Sequence, residues 1–263
     1  QGTKVFMAPN AVNGMKGGVG MTYLASIVGD FNSDIVSEIA PTNGNAAQPI
    51  PVVKTDSQFW FNPHLNYRVF MVPALIVLIL TQLCGFLPGI SIVFEKELGT
   101  MEQINVSPVR KGQFILAKLI PYWIIGFFVL SLGFLIARVV YGLVPVGHFY
   151  TIYLFATVFI LTVSGLGLVV SNYSQTLQQA MFIVFFFMLV FIMISGLYTP
   201  IDSMPNWAKW FAAFNPLKHF MVVMRSVYLK GSNATDLLKE LYALIGFATF
   251  FNVWAVLSYR KKN

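Results

Sequence analysis

The run from Val69 to Val93, VFMVPALIVLILTQLCGFLPGISIV, carries no Asp, Glu, Lys or Arg. It is longer than the roughly 20 residues that an α-helix needs to cross the hydrocarbon core of a bilayer. Pro73 and Pro88, together with Gly85 and Gly89, predict that this helix is kinked or broken. We therefore predict a membrane-spanning helix and an all-α polytopic membrane protein.

The composition of the whole chain supports the same class. The chain is 57% hydrophobic and 10% charged, whereas a soluble domain carries about 25% charged residues. The net charge of +7 comes mostly from residues beside the apolar segments, which indicates membrane topology rather than nucleic-acid binding. Cys84 is the single cysteine, which excludes a disulfide or a cysteine metal site within one chain.

Four more apolar segments follow the first span. They cover about 119–140, 149–171, 180–198 and 237–258. In the third span, Ser164, Gly165 and Gly167 form a small-residue patch that predicts close helix packing. Gln82 lies near the middle of the first span, where it either lines a substrate pathway or bonds a neighbouring helix.

Residues 94–118, FEKELGTMEQINVSPVRKGQFILAK, are a polar run between two spans and are called the elbow below. Phe94, Leu98, Met101 and Ile104 recur at helical spacing and predict one apolar face of a short helix. Ser107-Pro108 predicts a cap and a first turn for the next helix. Two interpretations stay open: a surface that receives force from a soluble partner, or a loop lying at the lipid headgroups.

Residues 1–67 are the polar part of the chain. They predict a helix over Val19–Ile39 and short strands at Lys4–Ala8 and Ile50–Lys54. This is too short for a well-buried core of its own. We expect part of a small α/β extracytoplasmic domain, in a fragment whose true N-terminus precedes Gln1.

A glycine-rich segment, Lys16–Thr22, resembles a variant phosphate-binding loop ahead of a helix. Such a loop needs a lysine to reach the phosphates, and Met21 stands at that position. The pattern favours a glycine-rich turn that caps the following helix.

Residues 199–231 are too polar to span and too apolar for an ordinary loop, and they predict an outer re-entrant hairpin of two short helices. The break falls at Asn215-Pro216. The two predicted apolar faces are Trp207, Trp210, Phe211 and Phe214, and then Leu217, Phe220, Met221, Met224 and Tyr228.

Five spans place residues 1–67 and the C-terminus on opposite sides of the membrane. The basic tail at 260–262 lies on the same side as the basic residues of the elbow. Because basic residues favour the cytoplasm, the elbow is predicted to be cytoplasmic. Four basic residues in the hairpin oppose this assignment: Lys209, Lys218, Arg225 and Lys230.

Residues 95–103, EKELGTMEQ, followed by VSPV at 106–109, resemble the cytoplasmic motif of ABC-2 type transporter permeases. Asn62-Pro63 with FMVP at 70–73 is similar to the start of that family's second span, and the predicted hairpin is similar to the family's outer hairpin. The resemblance covers about 60–263 and implies an ABC-2 transmembrane domain over 68–263, with six spans in the whole protein.

The resemblance implies a permease in the cell inner (plasma) membrane that exports a hydrophobic or drug-like substrate. It would pair with a second permease subunit, as a homodimer or heterodimer, and with cytosolic ATPase subunits; no cofactor would bind this chain, and ATP and Mg would bind the ATPase. The implied ATPase-coupling residues are Glu95, Glu97, Gly99, Thr100, Met101 and Glu102. The implied outer-hairpin residues are Pro200, Asn215, Pro216, Arg225 and Gly231.

Three other classes of function are compared with this interpretation: an enzyme, an ion-driven carrier and a membrane scaffold. His64, His148 and His219 are the only histidines, and no catalytic motif surrounds them, which gives an enzyme little support. An ion-driven carrier usually places charged groups at mid-membrane, and these spans have none there. A membrane scaffold without transport activity fits the elbow equally well.

Overall fold

The computed structural model describes residues 14–39, 67–106, 108, 110–198, 201 and 204–259, with the side chains of 14–18, 36–39 and 104–106 left aside. The chain divides into two units, Gln1–Pro63 and His64–Asn263. Each unit is described by itself.

The described part of the first unit is one helix, α1 (Gly14–Ile39). It begins five residues before the predicted helix, so Lys16–Thr22 lies inside it and the predicted glycine-rich turn is wrong. The predicted strands lie outside the described residues. Because the described residues of this unit are helical throughout, they do not support the α/β domain.

The second unit is a bundle of helices. They are α2 (Tyr67–Glu97), α3 (Thr100–Val106), α4 (Lys111–Tyr141), α5 (Phe149–Tyr173), α6 (Leu177–Ile194), α7 (Asn206–Ala213), α8 (Pro216–Lys230) and α9 (Leu238–Ser258). Within the described ranges, five helices are long and apolar enough to cross a membrane: α2, α4, α5, α6, and α9 with the short turn Ala234–Leu237 before it. The prediction of five spans is confirmed.

Helix α5 is the centre of this bundle. In its most apolar stretch 78% of the residues are buried, against 17–22% in α4, α6 and α9. It packs chiefly against α2 and α9. The outer helices therefore present most of their apolar side chains outward, as helices do when lipid surrounds them.

Helix α2 continues through both of its prolines, so of the two predicted possibilities, a kink or a break, the break is wrong and the kink stays a prediction. Pro88 has no N–H, which leaves the carbonyl of Cys84 without its usual partner in the helix. Ser164 of α5 donates its hydroxyl to that carbonyl at 3.1 Å. The neighbouring helix thus satisfies the group that the proline exposes.

The small-residue patch of α5 does bring helices close together, as predicted. A Cβ atom placed on Gly167 would lie 2.4 Å from the carbonyl oxygen of Gly85 and 3.0 Å from the backbone nitrogen of Gly89. Only glycine fits at this crossing of α2 and α5.

A separate apolar cluster, called the elbow core, lies at the elbow end of the bundle. It joins α2, α3, α4, α5 and the end of α9. Its buried members are Ile92, Met101, Phe114, Ile115, Leu119, Leu168, Val169, Ala255 and Tyr259. Through Met101, Phe114 and Ile115, the elbow is thus packed into the bundle instead of standing free of it.

Candidate functional site

The elbow bends at Gly99. The short helix predicted to carry Phe94, Leu98, Met101 and Ile104 on one face is wrong as one continuous helix, because α2 runs to Glu97 and α3 starts at Thr100. Gly99 has a φ of 72°, a left-handed conformation that glycine adopts without strain. A Cβ atom there would meet nothing within 4 Å, so this chain needs glycine for its conformation. The implied role of Gly99 in coupling to an ATPase stays a prediction.

The bend splits the predicted apolar face. Phe94 and Leu98 are 52% and 61% exposed, whereas Met101 is 9% exposed and belongs to the elbow core. The side chain of Ile104 lies outside the described residues. Phe94 and Leu98 lie one helical turn apart, with Leu98 N donating to the carbonyl of Phe94 at 3.1 Å, and these two exposed side chains are called the elbow surface below.

Glu95 binds within the chain. One carboxylate oxygen, Oε1, pairs with Lys118 of α4. The other, Oε2, is buried and has no hydrogen-bond partner among the described residues. Thr100 Oγ1 also donates to the backbone carbonyl of Glu95 at 3.2 Å. Of the predicted coupling residues, these two therefore hold the elbow in shape.

Lys96 points to the end of α5, which sequence reasoning missed. Its Nζ donates to the carbonyl oxygens of Ser171 at 3.1 Å, Asn172 at 2.8 Å and Ser174 at 3.0 Å. Its position three residues beyond the last predicted residue of the first span was the available signal. A lysine there can reach the end of a neighbouring spanning helix.

Glu97 is bound to the start of α6. Its Oε1 accepts from the backbone N–H of Leu177 at 2.6 Å. Thr176 is the N-cap of the same helix, and its Oγ1 accepts from the N–H of Gln179 at 3.2 Å. Glu102 is exposed. The roles of all three predicted carboxylates towards an ATPase stay predictions.

Helix α4 begins later than the helix start predicted at Ser107-Pro108. Its first residue is Lys111, and Arg110 occupies the N-cap position. Gln113 Oε1 accepts from the N–H of Arg110 at 3.1 Å. Pro108 precedes the cap, so the predicted cap at Ser107 is wrong; Ser107 itself lies outside the described residues.

The two helices of the predicted hairpin differ in burial. The aromatic residues of the first predicted face are all exposed: Trp207 67%, Trp210 62%, Phe211 53% and Phe214 57%. The second predicted face, from Leu217 to Tyr228, is buried. Pro200 lies outside the described residues. Helix α8 is therefore part of the core, whereas the aromatic face of α7 is exposed.

Asn215 connects α8 to α6. Its Oδ1 accepts from the N–H of Leu217 at 3.0 Å, which makes it the N-cap of α8. Its Nδ2 donates to the carbonyl of Phe191 at 2.7 Å. Pro216 follows at the first helical position, where no N–H is needed.

We expect Asn215→Ala to lower the free energy of unfolding by about 1–2 kcal/mol, because it removes a cap and a buried hydrogen bond together. Thermal unfolding of the purified protein in detergent measures this. Asn206→Ala, at an exposed position of α7, is the matched control. Equal losses in the two variants would contradict the role of Asn215.

Arg225 is a residue of α8, and its side chain contacts the segment after α6 and the start of α2. Its Nη1 and Nη2 donate to the carbonyls of Gly196 at 3.0 Å and Leu197 at 3.4 Å. The guanidinium carbon is 3.9 Å from the centre of the Phe70 ring, a cation–π contact. Burial lowers the pKa of Arg225 to about 10, so the group stays charged at neutral pH.

Gly231 ends α8 with a φ of 70°. The loop before α5 receives this helix end: Val146 N donates to the carbonyl of Tyr228 at 3.1 Å, and Gly147 N to that of Val227 at 3.0 Å. The last carbonyls of α8 are thus satisfied by another loop.

His219 bridges the hairpin and α9. Its Nε2 lies 3.0 Å from the carbonyl of Ala213, and its Nδ1 contacts the carboxylate of Glu240. Each ring nitrogen thus faces a group that accepts hydrogen bonds. The imidazole ring of His219 therefore joins the end of α7 to α9. Among the described residues, no three His, Cys, Asp or Glu side chains are grouped so that they could hold a metal ion.

Gln82 is partly exposed in the middle of α2. No side-chain hydrogen bond joins it to a neighbouring helix among the described residues, and the predicted bond stays a prediction. Its place in a substrate pathway stays a prediction.

Residues 6–257 match the family described as ABC-2 family transporter protein. The chain is 29% identical over 244 residues to the Escherichia coli (strain K12) protein named "Probable multidrug ABC transporter permease YbhR", covering 93% of this chain and 64% of the relative. It is 29% identical over 216 residues to the E. coli (strain K12) protein named "Probable multidrug ABC transporter permease YbhS", covering 81% of this chain and 56% of the relative. It is 24% identical to the Bacillus subtilis (strain 168) "Linearmycin resistance permease protein LnrN", covering 60% and 41%. The chain thus spans less than two thirds of the length of these relatives.

Proposed function

Because the chain belongs to the ABC-2 family of transporter proteins, we propose that it is the permease subunit of an ATP-driven exporter. A separate cytosolic ATPase binds and hydrolyses ATP with Mg, and this chain binds neither. A second permease subunit, identical or related, completes the export pathway. The five membrane-spanning helices are the part of the pathway that this chain supplies.

The protein is a multi-pass membrane protein, and the inner (plasma) membrane is the proposed location. Its elbow and its C-terminus face the cytoplasm, and residues 1–67 face outward. The basic residues of the elbow and of the tail support this orientation.

The elbow surface is the observation that carries the proposal. Phe94 and Leu98 are large apolar side chains at the polar end of α2, and both are more than half exposed. Met101, just after the bend at Gly99, belongs to the buried elbow core. Two exposed apolar side chains one helical turn apart suit the groove of a soluble partner, as in helix-in-groove recognition.

We propose a hydrophobic or drug-like substrate. The names of two relatives contain the word multidrug, and that of a third refers to resistance to linearmycin. The central parts of the spanning helices carry no charged residues, so a highly charged polymer would find no ionic partner there. Export of only such a polymer would contradict this proposal.

Capture of the ATPase encoded beside this protein tests the partner assignment. We expect Leu98→Arg to reduce capture from detergent more than tenfold, because it places a charge at an apolar anchor of the interface. Gln178→Arg adds the same charge at an exposed position near the start of α6 and is expected to retain capture.

The three possible results separate the functions. Capture that Leu98→Arg abolishes supports a permease coupled through the elbow. Capture that survives it keeps the permease and moves the contact elsewhere. A folded protein that captures no ATPase contradicts the proposal and favours a scaffold or an ion-driven carrier.

A further inference from the structure

We infer that Lys96 and Glu97 bind the elbow to the end of α5 and the start of α6, through contacts with Ser171, Asn172, Ser174 and Leu177, so that the elbow and the adjoining ends of these two helices move as one body. The inference rests on the proposed function, because it states how movement of the elbow reaches the spanning helices. It assigns Lys96 and Glu97 as positioning residues within the chain, and it removes Glu97 from the contacts with the ATPase.

Lys96 provides the stronger half of this connection. An ammonium group has three N–H donors, and the three carbonyls of Ser171, Asn172 and Ser174 accept them at 2.8–3.1 Å. These carbonyls lie at the end of α5, where a helix has unpaired acceptors and the negative end of its dipole. The side chain is partly buried, which limits competition from water.

Glu97 provides the other half at the start of α6. Leu177 is the first residue of that helix, so its N–H has no partner within it. Thr176 caps the N–H of Gln179 and leaves that of Leu177 to the carboxylate of Glu97. A negative charge at a helix N-terminus also interacts favourably with the dipole.

The charge of each of these two neighbouring side chains is thus opposite to the partial charge of the helix end that it contacts. Lys96 meets the negative end of α5, and Glu97 meets the positive end of α6. One turn earlier, Ser171 Oγ accepts from the backbone N–H groups of Ile92 at 3.1 Å and Val93 at 3.2 Å. The end of α2 is therefore hydrogen-bonded to α5 and α6 at several adjacent points, in addition to its apolar packing.

Hydrogen exchange at the Leu177 amide tests the half made by Glu97, in the protein without any ATPase. We expect Glu97→Ala to accelerate exchange there about fivefold, the effect of losing a helix-capping acceptor. Glu97→Gln keeps an accepting oxygen and should restore much of the protection. Glu102→Ala, an exposed carboxylate of α3, should leave this amide unchanged. Unchanged exchange in Glu97→Ala overturns the assignment.

Distances between spin labels test whether the elbow and α6 move together. Labels at the exposed Gln103 and Gln178 report on α3 and on the start of α6. We expect one narrow distance distribution, the same with and without ATP and the ATPase. Lys96→Met should broaden it, and Lys111→Met, at an exposed lysine, should not.

A label distance that changes with ATP in the unaltered protein overturns the inference, as does a narrow distribution in Lys96→Met. If Glu97→Ala abolishes capture of the ATPase while exchange at Leu177 is unchanged, Glu97 is a partner contact instead. Failure of the proposed function appears separately, as no capture by the unaltered protein. The exchange experiment and the distance in the protein alone still test the connection in that case.

Discussion

Gly167→Ala is expected to lower the free energy of unfolding by about 3 kcal/mol, the upper part of the range for adding one carbon to a filled core. The added Cβ would lie 2.4 Å from the carbonyl oxygen of Gly85. The backbone of α2 cannot turn aside as a flexible side chain would. Helices α2 and α5 must therefore separate, although they form the most extensive helix contact in the bundle.

Thermal unfolding in detergent, followed by gel filtration of the soluble fraction, measures the effect. Gly246→Ala is the matched control, because a Cβ on Gly246 in α9 meets nothing within 4 Å. There the substitution should be neutral or stabilise by about 0.5–1 kcal/mol, since alanine favours helix. Similar melting temperatures for the two variants would show that the α2–α5 crossing is looser than described.

Arg225→Met is expected to lower the free energy of unfolding by about 2–3 kcal/mol. It removes two charged hydrogen bonds to the carbonyls of Gly196 and Leu197 and the cation–π contact with Phe70. The carbonyls after α6 would then lack these donors. Export should fall as well, because the start of α2 and the end of α6 lose the side chain that joins them.

Arg138→Met is the control for Arg225, since it makes the same change at an exposed arginine near the end of α4. It should change the melting temperature little. A double-mutant cycle with Phe70→Leu isolates the ring contact, with an expected coupling of about 0.5–2 kcal/mol. Zero coupling would mean that Phe70 and Arg225 are neighbours without interaction.

The five spans were predictable because long apolar runs in a chain of this composition leave few alternatives. Their ends were not. Helix α4 starts at Lys111, eight residues before the predicted span, because helical hydrogen bonding continues into polar residues that hydropathy excludes. The small-residue patch around Gly167 was also readable, since close packing needs small side chains.

The geometry of the elbow was beyond sequence reasoning. Gly99 was noted, but nothing local distinguishes a glycine that ends a helix from one inside it. The partners of Lys96 and Glu97 lie 75–80 residues away in the chain, so periodicity carries no information about them. The same holds for Arg225 and the carbonyls after α6, which are 28–29 residues apart in sequence.

The bond from Ser164 to the carbonyl of Cys84 also sets an order of events during biosynthesis. Ser164 is made 80 residues after Cys84, which at about 5–20 residues per second is a delay of several seconds. During that time α2 carries, beside Pro88, a carbonyl that lipid cannot satisfy. The carbonyl of Cys84 therefore gains its hydrogen-bond partner only when α5 inserts beside α2. An insertion machinery that released α2 earlier would leave this carbonyl without a partner in the bilayer.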